Sequence, residues 1–225
     1  MKSSYYKYFA ALLLFGSNGI VASNINLPSY EIVLLRLLLG SLFLITVFTV
    51  SRQRFTFYRN KHTCLYLFIS ASAMGASWML LYEAYQQVGI SIASLAYYCG
   101  PVIVMILSPF LFRETLTWPK IAGFLTVLAG MCLVNLQALD EGKTIWGLFC
   151  GLMSAFMYAL MVTANKKAKP ESGLENSLLQ LVIGSFIVVA FVSMQKNFVL
   201  SLTTIDWIPV LLLGLLNTGI GCYLY

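Results

Sequence analysis

Charge is scarce in this 225-residue chain, and so are the side chains that usually do chemistry. Charged residues make up 10% of it, and His62 is its one histidine. Asp140 and Asp206 both fall between apolar stretches, so no aspartate lies inside one. Five cysteines (Cys64, Cys99, Cys132, Cys150 and Cys222) stand singly, with no CxxC pair and no Cys/His cluster. That spacing points to packing rather than to metal or disulfide chemistry. An intramembrane protease or transferase needs a buried nucleophile with its base, or paired acids, and neither is present. GxSxG and P-loop signatures are missing, and no soluble domain exists to hydrolyse ATP. No filter-like loop or ring of charge suggests an ion channel. No enzyme activity, cofactor or metal site is therefore expected.

What the chain has in quantity is hydrocarbon. Hydrophobic residues reach 60%, far outside the range of a soluble domain. Eight apolar stretches, each near the ~20 residues of a bilayer crossing, are separated by short polar loops. Every backbone amide in lipid needs an internal partner, so helices or a closed barrel are the options. Strict polar–apolar alternation is absent, which excludes the barrel. The sequence predicts helices over 5–22, 30–50, 64–86, 89–112, 118–136, 145–164, 175–194 and 208–225. Residues 1–22 have a basic start and an apolar run but lack a small-residue cleavage site, so they read as the first helix.

The net charge of +6 follows the loops rather than any nucleic-acid partner. Lys2, Lys7, Arg52, Arg54, Arg59, Lys61, Arg113, Lys120, Lys166, Lys167 and Lys169 fall on one set of alternate loops, against Lys143 and Lys196 on the other. This positive-inside bias places the N-terminus in the cytoplasm and the protein in the inner cell membrane. Trp118, Trp146, Trp207 and the cluster Tyr5, Tyr6 and Tyr8 sit at predicted water–lipid boundaries. An internal repeat is also visible. Arg36-Leu-Leu-Leu-Gly-Ser41 aligns with Gln180-Leu-Val-Ile-Gly-Ser185, and the same offset brings Gly75 onto Gly219 and Leu80 onto Leu224. The loop charges invert between the copies, as they must when a five-helix unit is repeated upside down. Residues 1–138 form the first five-helix copy and 143–225 a second with three helices, its last two expected beyond Tyr225. The expected fold class is thus an all-α integral membrane protein, a polytopic helix bundle of eight spans.

Several short motifs resemble the drug/metabolite transporter superfamily, specifically its EamA-type ten-helix branch. They are Phe15-Gly-Ser-Asn18, Arg36, Leu81-Tyr-Glu-Ala84, Gly100-Pro101 and Phe112-Arg-Glu-Thr-Leu116 followed by Gly123 and Gly130. They cover the first repeat in order; the second matches more loosely. Phe15 departs from the Trp frequent in that family. Members resembling this chain export amino acids, other metabolites or toxic compounds, while relatives move nucleotide sugars or triose phosphates. The resemblance implies a multi-pass secondary transporter that exports a small metabolite, amino acid-like or another small organic solute, across the cytoplasmic membrane by alternating access. A lipid or amphiphile flippase and a non-transporting structural membrane protein stay open as alternatives, and among partners a homodimer stays open beside the lipid bilayer.

Arg36 and Glu83 are the charged side chains well inside the apolar segments. A charge in hydrocarbon costs a few kcal/mol or more, so such residues pair or serve a wet path. Arg36 lies ~9 Å below the outer boundary and Glu83 within a turn of it, so a pair is allowed by depth. The alternatives are a structural ion pair, Arg36 snorkelling to headgroups, an anion on Arg36, or proton exchange at Glu83. Pro101 interrupts the fourth helix by freeing the carbonyl of Tyr97, as at midplane transporter sites, or is an ordinary packing kink. Pro109 reads as a kink alone. Tyr97, Tyr98 and Tyr158 can present hydroxyls or ring faces to a substrate, and Trp78, near mid-helix, a cavity wall. Asn18, Gln180 and Asn217 by default bond between helices, and Gly123 with Gly130 permits close packing. Arg36, Glu83, Trp78, Tyr97, Tyr98, Pro101, Tyr158, Asn18 and Asn217 are the candidate cavity or gate residues.

Overall fold

The computed structural model describes residues 2–113, 115, 117–135, 145–168, 172–194 and 207–224. Helices occupy each of the predicted stretches: α1 (Lys2–Gly16), α2 (Asn18–Ala22), α3 (Ser29–Val50), α4 (Lys61–Tyr97), α5 (Cys99–Phe112), α6 (Trp118–Asn135), α7 (Ile145–Ala168) and α8 (Gly173–Ser193). A last segment runs through α9 (Trp207–Leu211), a π-helical stretch Leu212–Ile220 and α10 (Gly221–Leu224). Among the described residues, five segments are long and apolar enough to cross a membrane: Ser29–Val50, Lys61–Phe112, Ile145–Ala168, Gly173–Ser193 and Trp207–Leu224. Phe9–Ala22 is a shorter apolar stretch. This is a helical membrane protein.

The element boundaries have local causes. Asn60 caps α4 by accepting the amide hydrogen of His62 at 2.9 Å, and Ser172 caps α8. A straight helix over Lys61–Phe112 would be about 78 Å long, far more than a bilayer. Gly89 breaks it with φ of 79°, a conformation that costs a glycine nothing. The predicted gap at residues 87–88 is therefore a single-residue hinge. The fourth helix breaks a second time at Tyr98, just ahead of Pro101, which ends up in the first turn of α5, where a missing amide hydrogen costs little. The first helix, expected to be continuous, is interrupted at Ser17, whose hydroxyl donates to the Leu14 carbonyl.

Small residues set the packing. Thr63, Ser70 and Ser77, seven apart on α4, donate their hydroxyls to the carbonyls of Ala168, Met161 and Ser154, seven apart on α7, at 2.9–3.0 Å. Ser154 returns a bond to the Ser77 carbonyl at 2.7 Å. One partner series ascends as the other descends, so the two helices run antiparallel with a period of seven, the spacing of a left-handed pair. Farther along, Gly147 lies on Gln87 and Val88, and Gly151 on Ala84 and Ala96. Hydrocarbon gives apolar side chains no preference for protein over lipid, so close approach and interhelical bonds must supply the association. The expectation that Gly123 and Gly130 serve close packing is not met: a side chain at either would meet open space.

The centre is built around α3, whose buried Val33, Arg36, Leu37, Gly40 and Leu44 recur at helical spacing. Its Gly40 lies against Thr218 and Leu181, while Gly184 on α8 lies against Met74 and Leu37. The pairs Leu37 with Gly184 and Gly40 with Leu181 run in opposing order, so α3 and α8 also cross antiparallel. At one end, buried Glu175 accepts from the amides of Thr56 and Phe57, at 2.5 and 2.9 Å, and from the Thr56 hydroxyl, at 2.6 Å. That carboxylate fastens the loop after α3 to the start of α8.

A Cβ at Gly40 would stand 2.7 Å from the Thr218 methyl group. Gly40→Ala is expected to lower stability by about 1–3 kcal/mol through overpacking. Gly123→Ala should leave it unchanged or raise it by up to about 1 kcal/mol. Thermal unfolding of the two detergent-purified variants checks the contrast.

Candidate functional site

Arg36 is 2% exposed and sits at the meeting of three segments. Its Nη1 donates to the Tyr82 hydroxyl at 2.6 Å, and its Nε donates to Thr218 Oγ1 at 3.1 Å. The guanidinium carbon stands 4.0 Å from the Trp78 ring centroid and 5.3 Å from that of Tyr82. Both distances are within cation–π range. Thr218 passes its own hydrogen to the Leu213 carbonyl at 2.8 Å, five residues back. That spacing belongs to the π-helical stretch, a widened turn often found at functional sites. Among the described residues, the buried Nη2 of Arg36 has no hydrogen-bond partner.

The pairing of Arg36 with Glu83 that depth allows is not formed among the described residues. Glu83 Oε2 accepts from the Ser29 hydroxyl at 2.7 Å, and Oε1 accepts from Gln87 Nε2 at 3.1 Å. The depth argument was sound, but successive residues on a helix point ~100° apart. Tyr82 faces Arg36, so Glu83 turns towards the first turn of α3 and clasps it to α4. Among the described residues no carboxylate lies against the guanidinium.

The remaining candidates fall into two groups. Asn217 Nδ2 donates to Asn18 Oδ1 and Ser17 Oγ, both at 3.0 Å, tying the break in the first helix to the π-helical stretch. Gln180 instead bonds within its own helix, to Asn176. Tyr97 meets Tyr158 edge-on at 5.3 Å and Tyr98 at 6.3 Å. Tyr158 also covers Gly100, where a Cβ would come within 2.7 Å of its ring. Beside them, Pro101 begins a cleft of about 300 Å³ that runs past Met105, Ser108 and Phe112 to Lys120 and Lys166. None of the residues touching Arg36 lines that cleft, so the candidate list divides between a packed cation centre and an open cleft.

Tyr82 and Thr218 complete the Arg36 centre and were not expected from sequence. Tyr82 had a signal: it follows Trp78 by four residues, hence shares its helix face, and Tyr85 continues the stripe at 5.3 Å from Tyr82. Thr218 had none. The centre can bind and orient a charge but offers no nucleophile beside a base. Among the described residues no three His, Cys, Asp or Glu side chains gather as metal ligands.

Tyr82→Phe removes the acceptor of Arg36 Nη1 while keeping the ring. It is expected to cost about 1–3 kcal/mol, the penalty for a buried donor left without its partner. Chemical or thermal unfolding of the variant beside the parent checks this.

Comparison with known proteins agrees with this architecture. A crystal structure described only as that of a protein superposes on the whole chain and on 78% of its own, with a TM-score of 0.74 at 19% identity, and shows a shared fold. "Uncharacterized transporter YxxF" of Bacillus subtilis (strain 168) is 26% identical over 226 residues, covering 97% of this chain and 71% of that protein. "Uncharacterized transporter in sor 3'region" of Acidianus ambivalens is 27% identical over 128 residues, 57% of this chain and 49% of that protein. The family model described as EamA-like transporter family matches residues 3–136 and 145–225, nearly the full length. With that match and the helical architecture described above, the chain belongs to the EamA-like transporter family.

Proposed function

We propose that this membrane transporter is a secondary carrier of the cytoplasmic membrane that exports a small organic metabolite by alternating access between two inverted halves. The reciprocal glycine packing at the centre carries this reading. Gly184, Leu181 and Thr218 lie 144 positions after Gly40, Leu37 and Met74. Gly40 rests on Thr218 and Leu181, and Gly184 rests on Met74 and Leu37. Contacts that exchange partners in this way are the mark of a two-fold relation between the copies. Helices α3 and α8 also begin 144 positions apart, at Ser29 and Gly173, and carry Glu31 and Glu175 at matching places in their first turns. Because the two helices run antiparallel, the axis relating them supports an inverted rather than a parallel repeat. Eight spans with a cytoplasmic N-terminus fit the uneven distribution of Lys and Arg between alternate loops. Export is inferred from the resemblance to exporting family members.

In this reading Arg36, Trp78 and the paired Tyr97 and Tyr158 border the substrate path, and the cleft ending at Pro101 is one approach to it. Asn18 with Asn217 couples the first half to the second. Tyr98 stands at the break after α4 and Glu83 inside α4 ahead of the Gly89 break, and rearrangement is expected at both breaks when the halves rock.

Two measurements test the proposal. Single cysteines placed at Arg54 and Lys167 should react with an impermeant reagent from the same side of the membrane, whereas labelling from opposite sides removes the inverted plan. In proteoliposomes, solute flux driven by a proton gradient is expected, and lipid scrambling without solute flux contradicts a carrier. A Glu83→Gln variant that keeps the parent's pH profile of flux takes Glu83 out of any proton coupling and leaves it a helix clasp.

A further inference from the structure

The chemical class of the transported solute can be read from the unfinished bonding of Arg36, an inference that rests on the transporter reading above. A guanidinium offers five N–H donors in a planar fork and holds its charge at any physiological pH. Here Nε and Nη1 are engaged by two neutral hydroxyls, and one face of the plane lies on the Trp78 indole. Among the described residues, Nη2 is buried without a hydrogen-bond partner. Hydroxyls and ring faces lower the cost of burying this cation, but they do not neutralise it. A buried charge missing its counter-charge is strongly destabilising. The acid closest by depth, Glu83, has both oxygens occupied by Ser29 and Gln87. Among the described residues the centre therefore lacks a negative charge and an acceptor for the N–H groups of Nη2.

We infer that the Arg36 centre binds the carboxylate of an organic monoanion, which accepts from Nη2 while Trp78, Tyr82 and Tyr85 border its apolar remainder. One carboxylate matches one guanidinium, whereas a dianion would leave a charge unmatched in the same surroundings. The aromatic stripe favours a ligand with an apolar body over a compact inorganic ion. Arg36 is enclosed in this structure, so the anion reaches it when the surrounding segments part. Thr218 sits on the π-helical stretch, a widened turn of the kind found at functional sites, and this segment is the one whose parting would uncover the guanidinium edge.

The test uses the full chain, purified in detergent in chloride-free buffer, with phenylacetate, acetate, phenylacetamide and phenethylamine as probes. Thermal unfolding and intrinsic tryptophan fluorescence are followed as each is added. Phenylacetate is expected to stabilise the protein saturably and to bind about tenfold or more tightly than its neutral amide, the difference one charge-assisted bond makes. Arg36→Gln should abolish the preference of acid over amide, and Arg36→Lys should keep part of it. The acid–amide comparison on the unaltered chain stands even if a variant fails to fold. Equal binding of acid and amide, tighter binding of phenethylamine, or no stabilisation by either carboxylate up to ~10 mM overturns the inference. The two readings fail separately. A preserved acid preference without flux of any solute in proteoliposomes removes transport and keeps the anion site. Flux of a cation or neutral solute, with Arg36→Gln unaffected, keeps transport and removes the anion site.

Discussion

A positive charge enclosed by helices in a low-dielectric interior is the constraint around which this molecule is arranged. That charge, on Arg36, must be satisfied by geometry, through hydrogen bonds and ring faces. Tyr82 and Trp78 come from α4 and Thr218 from the π-helical stretch, so two separate segments converge on one side chain of α3. The widened turn that delivers Thr218 to Nε is itself a departure from regular helix. Irregular backbone of this kind survives at membrane depth where it is buried in protein or faces a cavity.

Such convergence requires helices that approach closely, and lipid supplies no hydrophobic drive to push them together. The chain answers with small residues at the crossings. Between α4 and α7 the hydroxyls of Ser70 and Ser77 bond carbonyls inside α7, and Thr63 bonds the end carbonyl of Ala168 that the helix leaves free, which adds attraction without leaving polar groups bare. At the centre, Gly40 and Gly184 remove the side chains that would hold α3 and α8 apart. Bulky apolar groups such as Leu42, Phe110 and Phe186 are left on the outer surface, where lipid accepts them. The result is a surface more hydrocarbon than the crossings it encloses.

Function follows from the same arrangement. A carrier needs a centre that holds a solute without reacting with it, and segments that can rearrange around that centre. The Arg36 cluster has bonding capacity to spare and no catalytic pair. Gly89, the break at Tyr98 and the π-helical stretch provide places where the backbone departs from regular helix. Glu175, fastening the loop after α3 to α8, and the Asn18–Asn217 bond tie the two parts of the chain together. Membership of the EamA-like transporter family supports a membrane transporter, and the carrier reading proposed above adds to it a binding centre with movable surroundings.

The amino-acid sequence by itself determined the membrane setting, the helices and the importance of Arg36. Those properties depend on hydrophobic run length, helix breakers and the cost of a charge in hydrocarbon, all local along the chain. Tertiary structure alone decided which partners those residues take. Depth along two helices is legible from residue counts, but rotation about each helix axis is not, so Glu83 and Tyr82 could not be told apart as partners of Arg36. The same blindness made Gly123 and Gly130 look like contact glycines while Gly40 and Gly184 held the crossing. Thr218 was out of reach altogether, because its approach to Arg36 depends on a widened turn and on a contact spanning 182 residues.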